Sequence, residues 1–389
     1  SIMLVHVNAF SIFSFRRRAN TIWGLISRQL IIAKIMSPLC VCILALAPIF
    51  SFASMVNQPV SVFSTYPSET LIKACDAQQK LNESDINSTA IAEHCFEDAI
   101  SPDSFIKVLL ESGEFSNLLP YGEGNDYELL IANVGSAPSI HLGHSKQFAE
   151  FTLQWRGIEI DSSSFDSDID NSDEKAEQTS IDNQQVQSLI NRWLQYAKHT
   201  GLFTSQFLFT ALEASNYEIG LRVPETVGEF TKLDTQLFAD PFSGSITRYT
   251  HPDYEDALVD VTVYPFLAQL SQEESELLPK QLESDLQKAN TAANLQHLNL
   301  SQVSPASRYE VNGSLVGWKL GLSATSDTSP TIYATTYVFR QQDKIVKVST
   351  TFPPDFSDNI VNQLIVNVEV PEESNMMKKV RSLLLESKY

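Results

Sequence analysis

The chain has 389 residues, of which 47 are acidic and 27 basic, and its net charge at pH 7 is −20. A negative surplus of this size repels nucleic-acid phosphates and argues against a nucleic-acid-binding protein. With 43% hydrophobic residues and only 14 Gly and 17 Pro, the composition also argues against a fibrous or mostly disordered chain. The length is ample for two globular domains.

The first 54 residues differ in charge from the rest of the chain. They contain five Lys or Arg residues and no acid, and an apolar run at residues 35–52 leads into Ala53 and Ser54. A basic segment, an apolar segment and a Ser-x-Ala site are typical of a secretory signal peptide. We therefore predict that residues 1–54 are a signal peptide and that the protein is periplasmic or secreted. The alternative is a membrane anchor through residues 35–53, since about 19 residues can just span a bilayer.

The cysteines predict one disulfide. Cys40 and Cys42 lie inside the apolar run, so Cys75 and Cys95 are the pair that remains after the signal peptide. An even number of cysteines in an exported chain suggests a disulfide. A separation of twenty residues does not guarantee that the two sulfur atoms can meet, so two buried free thiols are the alternative.

Residues 55–160 are predicted to form an N-terminal α+β domain. The apolar spacing within residues 69–99 favours two short helices, the second of which carries Phe96. Residues 127–131 and the alternating segment 149–155 predict paired strands, because apolar and polar residues alternate between the two faces of a strand.

Residues 161–183 are rich in Ser and Asp and poor in apolar residues, which predicts an acidic linker. Oxygen-bearing side chains within it fall at positions 1, 3, 5, 9 and 12 of a calcium-loop register, namely Asp166, Asp168, Asp170, Glu174 and Glu177. The glycine that such a loop needs at its sixth position is replaced by Asn171. We interpret the segment as a mobile linker, with a calcium site as the alternative, and predict no other cofactor.

Residues 184–371 are predicted to form a C-terminal α+β domain, and residues 372–389 a C-terminal helix or tail. The predicted elements are, in chain order, a helix with an apolar stripe at 186–197, a strand at 259–263, a helix at 278–289, a hairpin at 333–352 and a helix at 360–365. Helices and strands that are segregated along the chain are typical of the α+β class. We therefore expect two domains, each an antiparallel sheet packed with helices.

The order of elements in the second half is strand, strand, long helix, strand, hairpin and short helix. Over residues 225–370 this order resembles the PsbP-like sandwich of photosystem extrinsic proteins, in which helices cover a curved antiparallel sheet. The resemblance implies a fold and transfers no functional residue, because the same fold can carry many functions.

A polar and aromatic cluster suggests a ligand site beside a predicted strand. Its members are Arg248, Tyr249, His251 and Tyr254, and the alternative is an ordinary surface turn around Pro252. No complete catalytic motif accompanies it. Ser-x-x-Lys at Ser104 and Ser-Asp-Asn at residues 357–359 are two parts of the penicillin-recognising pattern, but the Lys-Thr-Gly part is absent.

These observations predict an exported, non-enzymatic protein that binds an envelope protein or a small ligand. The missing catalytic motif favours binding over turnover, and a secreted hydrolase with an unrecognised active site is the alternative. Nucleic acid is not an expected partner. Contact with a membrane is expected only through an uncleaved N-terminus or through the basic C-terminal helix that carries Lys378, Lys379 and Arg381.

Overall fold

The computed structural model of the protein describes residues 54–83, 95–137, 145–167 and 178–386. Apart from Ser54, the predicted signal peptide lies outside these residues, and so does most of the calcium-like segment. The described chain divides into two compact units, an N-terminal unit that ends at Ala211 and a C-terminal unit that begins at Leu212. This division falls downstream of the predicted linker at 161–183. No helix in the described ranges is both long enough and apolar enough to cross a membrane.

The N-terminal unit is built on a six-stranded sheet within the described residues. Its strands are β1 (Val60–Ser64), β2 (Phe96–Glu97), β3 (Leu118–Pro120), β4 (Tyr127–Gly135), β5 (Gln147–Trp155) and β6 (Ile158–Asp166). The order is β3-β1-β4-β5-β6, and β2 pairs with the C-terminal end of β4. Strand β1 runs parallel to β3 and β4, whereas the pairs β4–β5 and β5–β6 are antiparallel.

Two predicted boundaries in this unit are wrong, namely the end of the second predicted helix within residues 69–99 and the start of the predicted linker at residue 161. Phe96 lies in strand β2 instead of a second helix, because the backbone at Phe96 and Glu97 pairs with β4. The predicted linker does not begin at residue 161, because β6 continues to Asp166 in register with β5. Phe165 adds an apolar contact there, with its ring centroid 6.1 Å from that of Phe151. Backbone pairing thus orders a segment whose composition alone indicates a linker.

The helices of the N-terminal unit are α1 (Glu69–Glu83), α2 (Pro102–Glu111), α3 (Gln178–Thr200) and α4 (Ser205–Ala211). Helix α3 contains the predicted apolar stripe, and its members Val186, Leu189, Ile190, Trp193 and Ala197 are all buried. It contacts α2, β5 and β6. Helix α3, which the sequence assigns to the second domain, therefore belongs to the core of the first unit.

Cys75 in α1 and Cys95, just before β2, lie at disulfide distance. Their sulfur atoms are 2.00 Å apart and their Cα atoms 6.3 Å apart. Cys75 is buried in a small cluster with Leu71, Val134 and Phe148. The bond therefore ties helix α1 to the segment that enters the sheet.

Reduction of the Cys75–Cys95 bond is expected to lower the free energy of unfolding by about 3 kcal/mol, because a closed loop of about twenty residues restricts the unfolded chain. Urea denaturation of the protein with and without a reductant measures this difference. The double variant Cys75→Ala with Cys95→Ala serves as control and should be insensitive to the reductant. Two alkylatable thiols in freshly isolated native protein would show that the pair is not oxidised there.

The C-terminal unit contains an antiparallel sheet of eight strands within the described residues. These are β7 (Thr226–Val227), β8 (Phe230–Leu237), β9 (Ser245–Thr250), β10 (Leu258–Pro265), β11 (Asn299–Val311), β12 (Leu315–Ser326), β13 (Ser329–Gln341) and β14 (Lys344–Thr350). The order is β11-β12-β13-β14-β10-β9-β8-β7. The predicted strand at 259–263 and the predicted hairpin at 333–352 are confirmed as β10 and β13–β14.

The helices of the C-terminal unit are α5 (Tyr217–Gly220), α6 (Glu274–Leu295), α7 (Pro354–Ile365) and α8 (Asn375–Glu386). Helix α6 packs Leu278 and Leu282 against one face of the sheet, where Val338 lies. Helix α7 contacts β13 from the other face, because its Asp358 accepts a hydrogen bond from Tyr337, the neighbour of Val338. The predicted α+β class, with helices on antiparallel-rich sheets, is confirmed.

Candidate ligand-binding site

A pocket of about 350 Å³ opens in the C-terminal unit beside helix α6. Three elements form its walls: one face of α6, the end of strand β10 with Lys347 of β14, and the loop of residues 265–272 that leads from β10 to α6. Phe242 adds an apolar side chain from the 3₁₀ turn Pro241–Ser243. The volume falls at the lower end of the range for small-molecule sites.

The helix wall of the pocket is mostly polar. Its lining side chains recur at three- and four-residue intervals and so share one face of α6: Leu277, Lys280, Gln281, Ser284, Asp285 and Lys288. The acidic residues Glu274, Glu276 and Glu283 of the same helix are not among the lining residues. The helix therefore presents two lysines and one aspartate to the pocket.

The sheet wall contributes Tyr264 and Lys347. Thr262 of β10 lies opposite Lys347 of β14, so Lys347 and Tyr264 project from the same face of the sheet. The ammonium group of Lys347 is 3.1 Å from each carboxylate oxygen of Asp285 and 5.8 Å from the centroid of the Tyr264 ring. The Tyr264 hydroxyl donates to Gln281 Oε1 at 2.9 Å. These contacts join the sheet to α6 at the floor of the pocket.

Two arginines hold the loop that forms the third wall. Arg340 donates to the carbonyl oxygens of Gln272 at 2.7 Å and Leu270 at 2.5 Å. Arg381 of α8 donates to the carbonyl oxygens of Phe266 at 2.9 Å and Ala268 at 3.0 Å. Each guanidinium carbon also lies 5.1 Å from the centroid of the Phe266 ring. Because its carbonyl groups are fixed in this way, the loop is preorganised.

A buried charge network lies behind this loop. Arg381 contacts Asp343 Oδ2 at 3.3 Å and pairs with Glu373, and Lys344 pairs with Asp343. Lys344 is fully buried, and its ammonium group also donates to the carbonyl oxygen of Glu372 at 3.3 Å. Burial lowers the pKa of Lys344, whereas Asp343 opposes this shift. The network connects the β13–β14 turn, helix α8 and the loop.

Burial also shifts the pKa values of ionisable groups that line the pocket. Desolvation lowers the pKa of Lys288, and Asp285 partly offsets that shift. Burial alone would lower the pKa of Lys347, but the charge of Asp285 raises it above its ordinary value. Burial raises the pKa of the Tyr264 hydroxyl to about 12. Lys347 and Tyr264 are therefore charged and neutral, respectively, near pH 7.

The four residues of the predicted polar and aromatic cluster are not among the residues that line this pocket. Arg248 and Tyr249 are neighbours on β9 and point to opposite faces. Arg248 makes two hydrogen bonds to Asp260, at 2.8 and 2.7 Å, and the buried Tyr249 donates to the carbonyl oxygen of Pro224 at 2.6 Å. Both side chains thus have structural partners.

His251 and Tyr254 do lie together, with ring centroids 4.9 Å apart. His251 Nε2 is 3.1 Å from a carboxylate oxygen of Glu229, and its Nδ1 accepts from the backbone N–H of Asp253. Tyr254 is 65% exposed. The structure therefore brings two of the four predicted residues together, although the His251 side chain is only 8% exposed. A ligand for them stays a prediction.

The predicted calcium ligands Asp168, Asp170, Glu174 and Glu177 lie outside the described residues. The fifth, Asp166, ends strand β6 and is paired with Lys146 at 2.5 Å and Arg192 at 2.9 Å. Among the residues that can be described, no group of three or more His, Cys, Asp or Glu side chains is arranged to hold a metal ion. The calcium hypothesis stays a prediction.

Asp166 is expected to contribute to the pH dependence of stability. Burial by itself would raise the pKa of its carboxyl group, but Lys146 and Arg192 hold the pKa below its ordinary value. The ordinary value is about 3.9 and represents the unfolded chain. The stabilisation is therefore fully present above about pH 4 and is lost as the pH falls through the lower folded value.

The difference in unfolding free energy between the wild-type protein and Asp166→Asn tests this expectation. It should be constant near neutral pH and should shrink as the pH falls below about 4. The matched control is Glu69→Gln, which removes an exposed carboxylate paired with Lys73 and should cost less than about 1 kcal/mol at any pH. A difference for Asp166→Asn that does not change with pH would contradict the argument.

The two parts of the penicillin-recognising pattern lie in different units. Ser104 is in α2 of the N-terminal unit, and residues 357–359 are in α7 of the C-terminal unit. Ser357 is fully buried with its hydroxyl 2.6 Å from that of Thr350, and Asp358 pairs with Lys319 at 3.0 Å. These contacts attach α7 to the sheet, so the Ser-Asp-Asn triplet has a structural explanation.

Comparison with known proteins gives no family assignment. No family model matches the chain, and no curated protein matches it. The solution structure of cyanobacterial PsbP (CyanoP) from Synechocystis sp. PCC 6803 is similar at 12% identity and a TM-score of 0.28, over 39% of this chain and 92% of that one. The resemblance inferred from the order of elements is thus found again, as a weak likeness in fold.

Two other solved structures show likenesses of the same order. The immunity protein TplEi of the T6SS from Pseudomonas aeruginosa shares 11% identity at a TM-score of 0.22, over 65% of this chain and 79% of its own. The Tle4–Tli4 complex contains a chain with 10% identity at a TM-score of 0.24, over 73% of this chain and 90% of its own. At these scores none of the three likenesses carries an argument about function.

Proposed function

We propose that this chain is an exported binding protein and that its C-terminal unit holds a small ligand in the pocket beside α6. The observation that carries the proposal is the pocket itself, in which polar side chains of α6 face the apolar loop of residues 265–272. A concave site with apolar walls and a few convergent polar groups is the usual form of a small-molecule site.

The fixed walls of the pocket support binding. Arg340 and Arg381 hold the loop, and the Lys347–Asp285 pair holds α6 on the sheet. A site whose walls are ordered before the ligand arrives loses less conformational entropy on binding. Export to the periplasm or beyond is the second part of the proposal. It rests on the charge and apolar pattern of residues 1–54 and on Cys75 and Cys95, since disulfides persist in oxidising compartments.

The location of the site can be tested by filling the pocket. Ser284 lines it from α6, whereas its neighbour Glu283 is exposed and does not. Compounds from a fragment library of neutral, cationic and anionic molecules are screened by the shift in thermal unfolding temperature. Hits should stabilise the wild-type protein and Glu283→Trp, but not Ser284→Trp. Circular dichroism of the ligand-free variants checks that both are folded.

The outcomes separate this proposal from the alternatives. Stabilisation that survives in Ser284→Trp would place the ligand elsewhere, and a library without hits on the wild-type protein would contradict a small-molecule site. The same protein is incubated with esterase, peptidase and β-lactam substrates. Product formation that falls in Ser284→Trp would favour the hydrolase instead.

A further inference from the structure

We infer that helix α8 is a strap over one wall of the pocket and that, through Arg381, it limits the size of the ligand that the pocket admits. While α8 is docked, the loop of residues 265–272 keeps the shape that encloses the pocket. When α8 separates, part of this wall is released. This role of α8 goes beyond the proposed function, on which it rests only in that the pocket is taken as a ligand site.

Helix α8 is attached to the C-terminal unit mainly at loops and turns. It makes only sparse contacts with the other described helices and strands. Its buried side chains are Met376, Met377 and Arg381. The backbone N–H of Met376 donates to the carbonyl oxygen of Glu213 at 3.1 Å, and the exposed Lys379 pairs with the Glu213 carboxylate. An element that buries so few side chains can separate from the sheet without unfolding it.

Arg381 and the loop hold each other from both sides. The guanidinium group of Arg381 donates to the carbonyl oxygens of Phe266 and Ala268, at 2.9 and 3.0 Å. In return, the side-chain amide of Gln269 donates to the backbone carbonyl oxygen of Arg381 at 3.1 Å. Phe266 and Ala268 line the pocket. These three hydrogen bonds therefore fix the wall of the pocket only while α8 is in place.

The second part of the loop does not depend on α8. Arg340 of strand β13 donates to the carbonyl oxygens of Leu270 and Gln272. Separation of α8 would therefore release residues 267–269, whereas residues 270–272 would stay attached to the sheet. The pocket would then be wider along the first part of the loop and would admit a larger molecule.

The buried charges behind the loop allow α8 to leave without an unpaired carboxylate. Asp343 is paired with both Lys344 and Arg381, and Arg381 is paired with Glu373 as well. Glu373 lies in the same C-terminal segment as Arg381, two residues before α8 begins. If that segment separates, Arg381 and Glu373 leave together and Lys344 remains beside Asp343. The event that costs most in a buried pair, the loss of the only partner, is avoided.

A ligand and the docked helix are expected to stabilise each other. A small ligand that contacts Leu267 and Ala268 needs the wall in its docked shape, so its binding favours the docked α8. By linkage, docking of α8 strengthens the binding of that ligand by the same factor. A ligand too large for the closed pocket would have the opposite effect and would favour the separated helix.

The test measures access to the pocket by alkylation of a thiol inside it. Ser284 lines the pocket and is replaced by cysteine in the full-length protein, Ser284→Cys. N-ethylmaleimide and fluorescein maleimide share one reactive group, but the second carries a rigid body of several rings. Peptide mass spectrometry gives the rate constant of each reagent at this position. The ratio of the two rate constants reports the size limit of the pocket separately from the reactivity of the thiol.

A second substitution releases α8 without changing Arg381 or the loop. Met377 is fully buried, so Met377→Asp places a charge beneath the helix and should separate it from the unit. Fluorescein maleimide should then react at least about tenfold faster relative to N-ethylmaleimide, because a minor open state becomes the main one. The matched control is Leu383→Asp in the same helix. Leu383 is 63% exposed, and its replacement should leave the ratio of rate constants unchanged.

The protein that carries only Ser284→Cys gives a second measurement, which does not depend on the folding of Met377→Asp. Low concentrations of urea should accelerate two processes together, the reaction with fluorescein maleimide and tryptic cleavage after Lys378 and Lys379. Both should occur below the concentrations at which circular dichroism shows the unit to unfold. A separated α8 would be cleaved readily, because a helix of 12 residues is only marginally stable alone.

Three results would overturn the role of α8. Cleavage in α8 may rise, at low urea or in Met377→Asp, while the relative rate of fluorescein maleimide stays constant. Fluorescein maleimide may enter only when the whole unit unfolds. The two maleimides may react equally fast with the docked protein, in which case the wall sets no size limit. None of these measurements uses a ligand, so a fragment screen without hits would contradict the proposed function and leave the strap unaffected.

Discussion

Replacement of Arg381 by methionine is expected to lower the free energy of unfolding of the C-terminal unit by about 3–5 kcal/mol. The Arg381 side chain is 6% exposed and contacts Asp343 and Glu373. Methionine keeps much of the volume of the arginine side chain but carries no charge. The carboxylate of Asp343, which is 1% exposed, would therefore lose one of its buried cationic partners. The carbonyl oxygens of Phe266 and Ala268 would also lose their donor. Urea denaturation measures the change.

The matched control is Arg308→Met in strand β11. Arg308 is 58% exposed and pairs with Glu310 at 2.9 Å, so solvent screens the attraction between the two charges. Its replacement should cost less than about 1 kcal/mol. Equal losses for the two variants would show that burial of the Arg381 network adds nothing to stability. The Arg381 variant should also expose the backbone amides of the 265–272 loop to hydrogen exchange, a change that the Arg308 variant should not produce.

Local sequence patterns predict the elements of this fold where one face is buried. The alternation at 259–263 is a strand whose apolar face, which includes Val261, enters the core, and the polar side chains of Asp260 and Thr262 on the opposite face are buried as well. The hairpin at 333–352 follows from two such runs joined by a short polar turn. These patterns depend on neighbours in the chain, which the sequence contains directly.

The pairing of distant segments is not contained in the local pattern. The stripe of α3 predicts that one face of the helix is buried, but not that its partners are β5 and β6. Composition at residues 161–166 indicates a linker, whereas pairing with β5 makes them a strand. Strand β1 runs parallel to β4, a contact between segments that no short turn could join.

The candidate site illustrates the same limit. Arg248 and Tyr249 are predicted to share one ligand site because they are adjacent in the chain. Adjacent residues of a strand, however, face opposite sides of the sheet. Of the three lysines that line the pocket, two are close in the sequence and the third is distant. Lys280 and Lys288 share a face of a helix that the sequence predicts, so a helical projection could have found them. Lys347 joins them only through the pairing of β14 with β10.

Truncation of Trp193 to alanine is expected to destabilise the N-terminal unit by about 3–5 kcal/mol, the usual range for a large buried aromatic residue. Trp193 is fully buried in α3 and stacks on Phe151 with ring centroids 5.1 Å apart. Its ring also contacts Phe115 and Phe203, with centroid distances of 6.4 Å in both cases. Alanine would leave a cavity that three fixed aromatic rings cannot close. Urea denaturation measures the loss.

Trp193→Phe separates packing from hydrogen bonding. The indole Nε1 has no hydrogen-bond partner within the described part of the chain, so phenylalanine gives up ring volume and no polar contact. It should therefore cost less than half as much as alanine. Gln195→Ala, at an exposed position of the same helix, should change stability by less than about 0.5 kcal/mol. If Trp193→Ala were no more destabilising than Gln195→Ala, the stacked aromatic cluster could not be the core that holds α3 on the sheet.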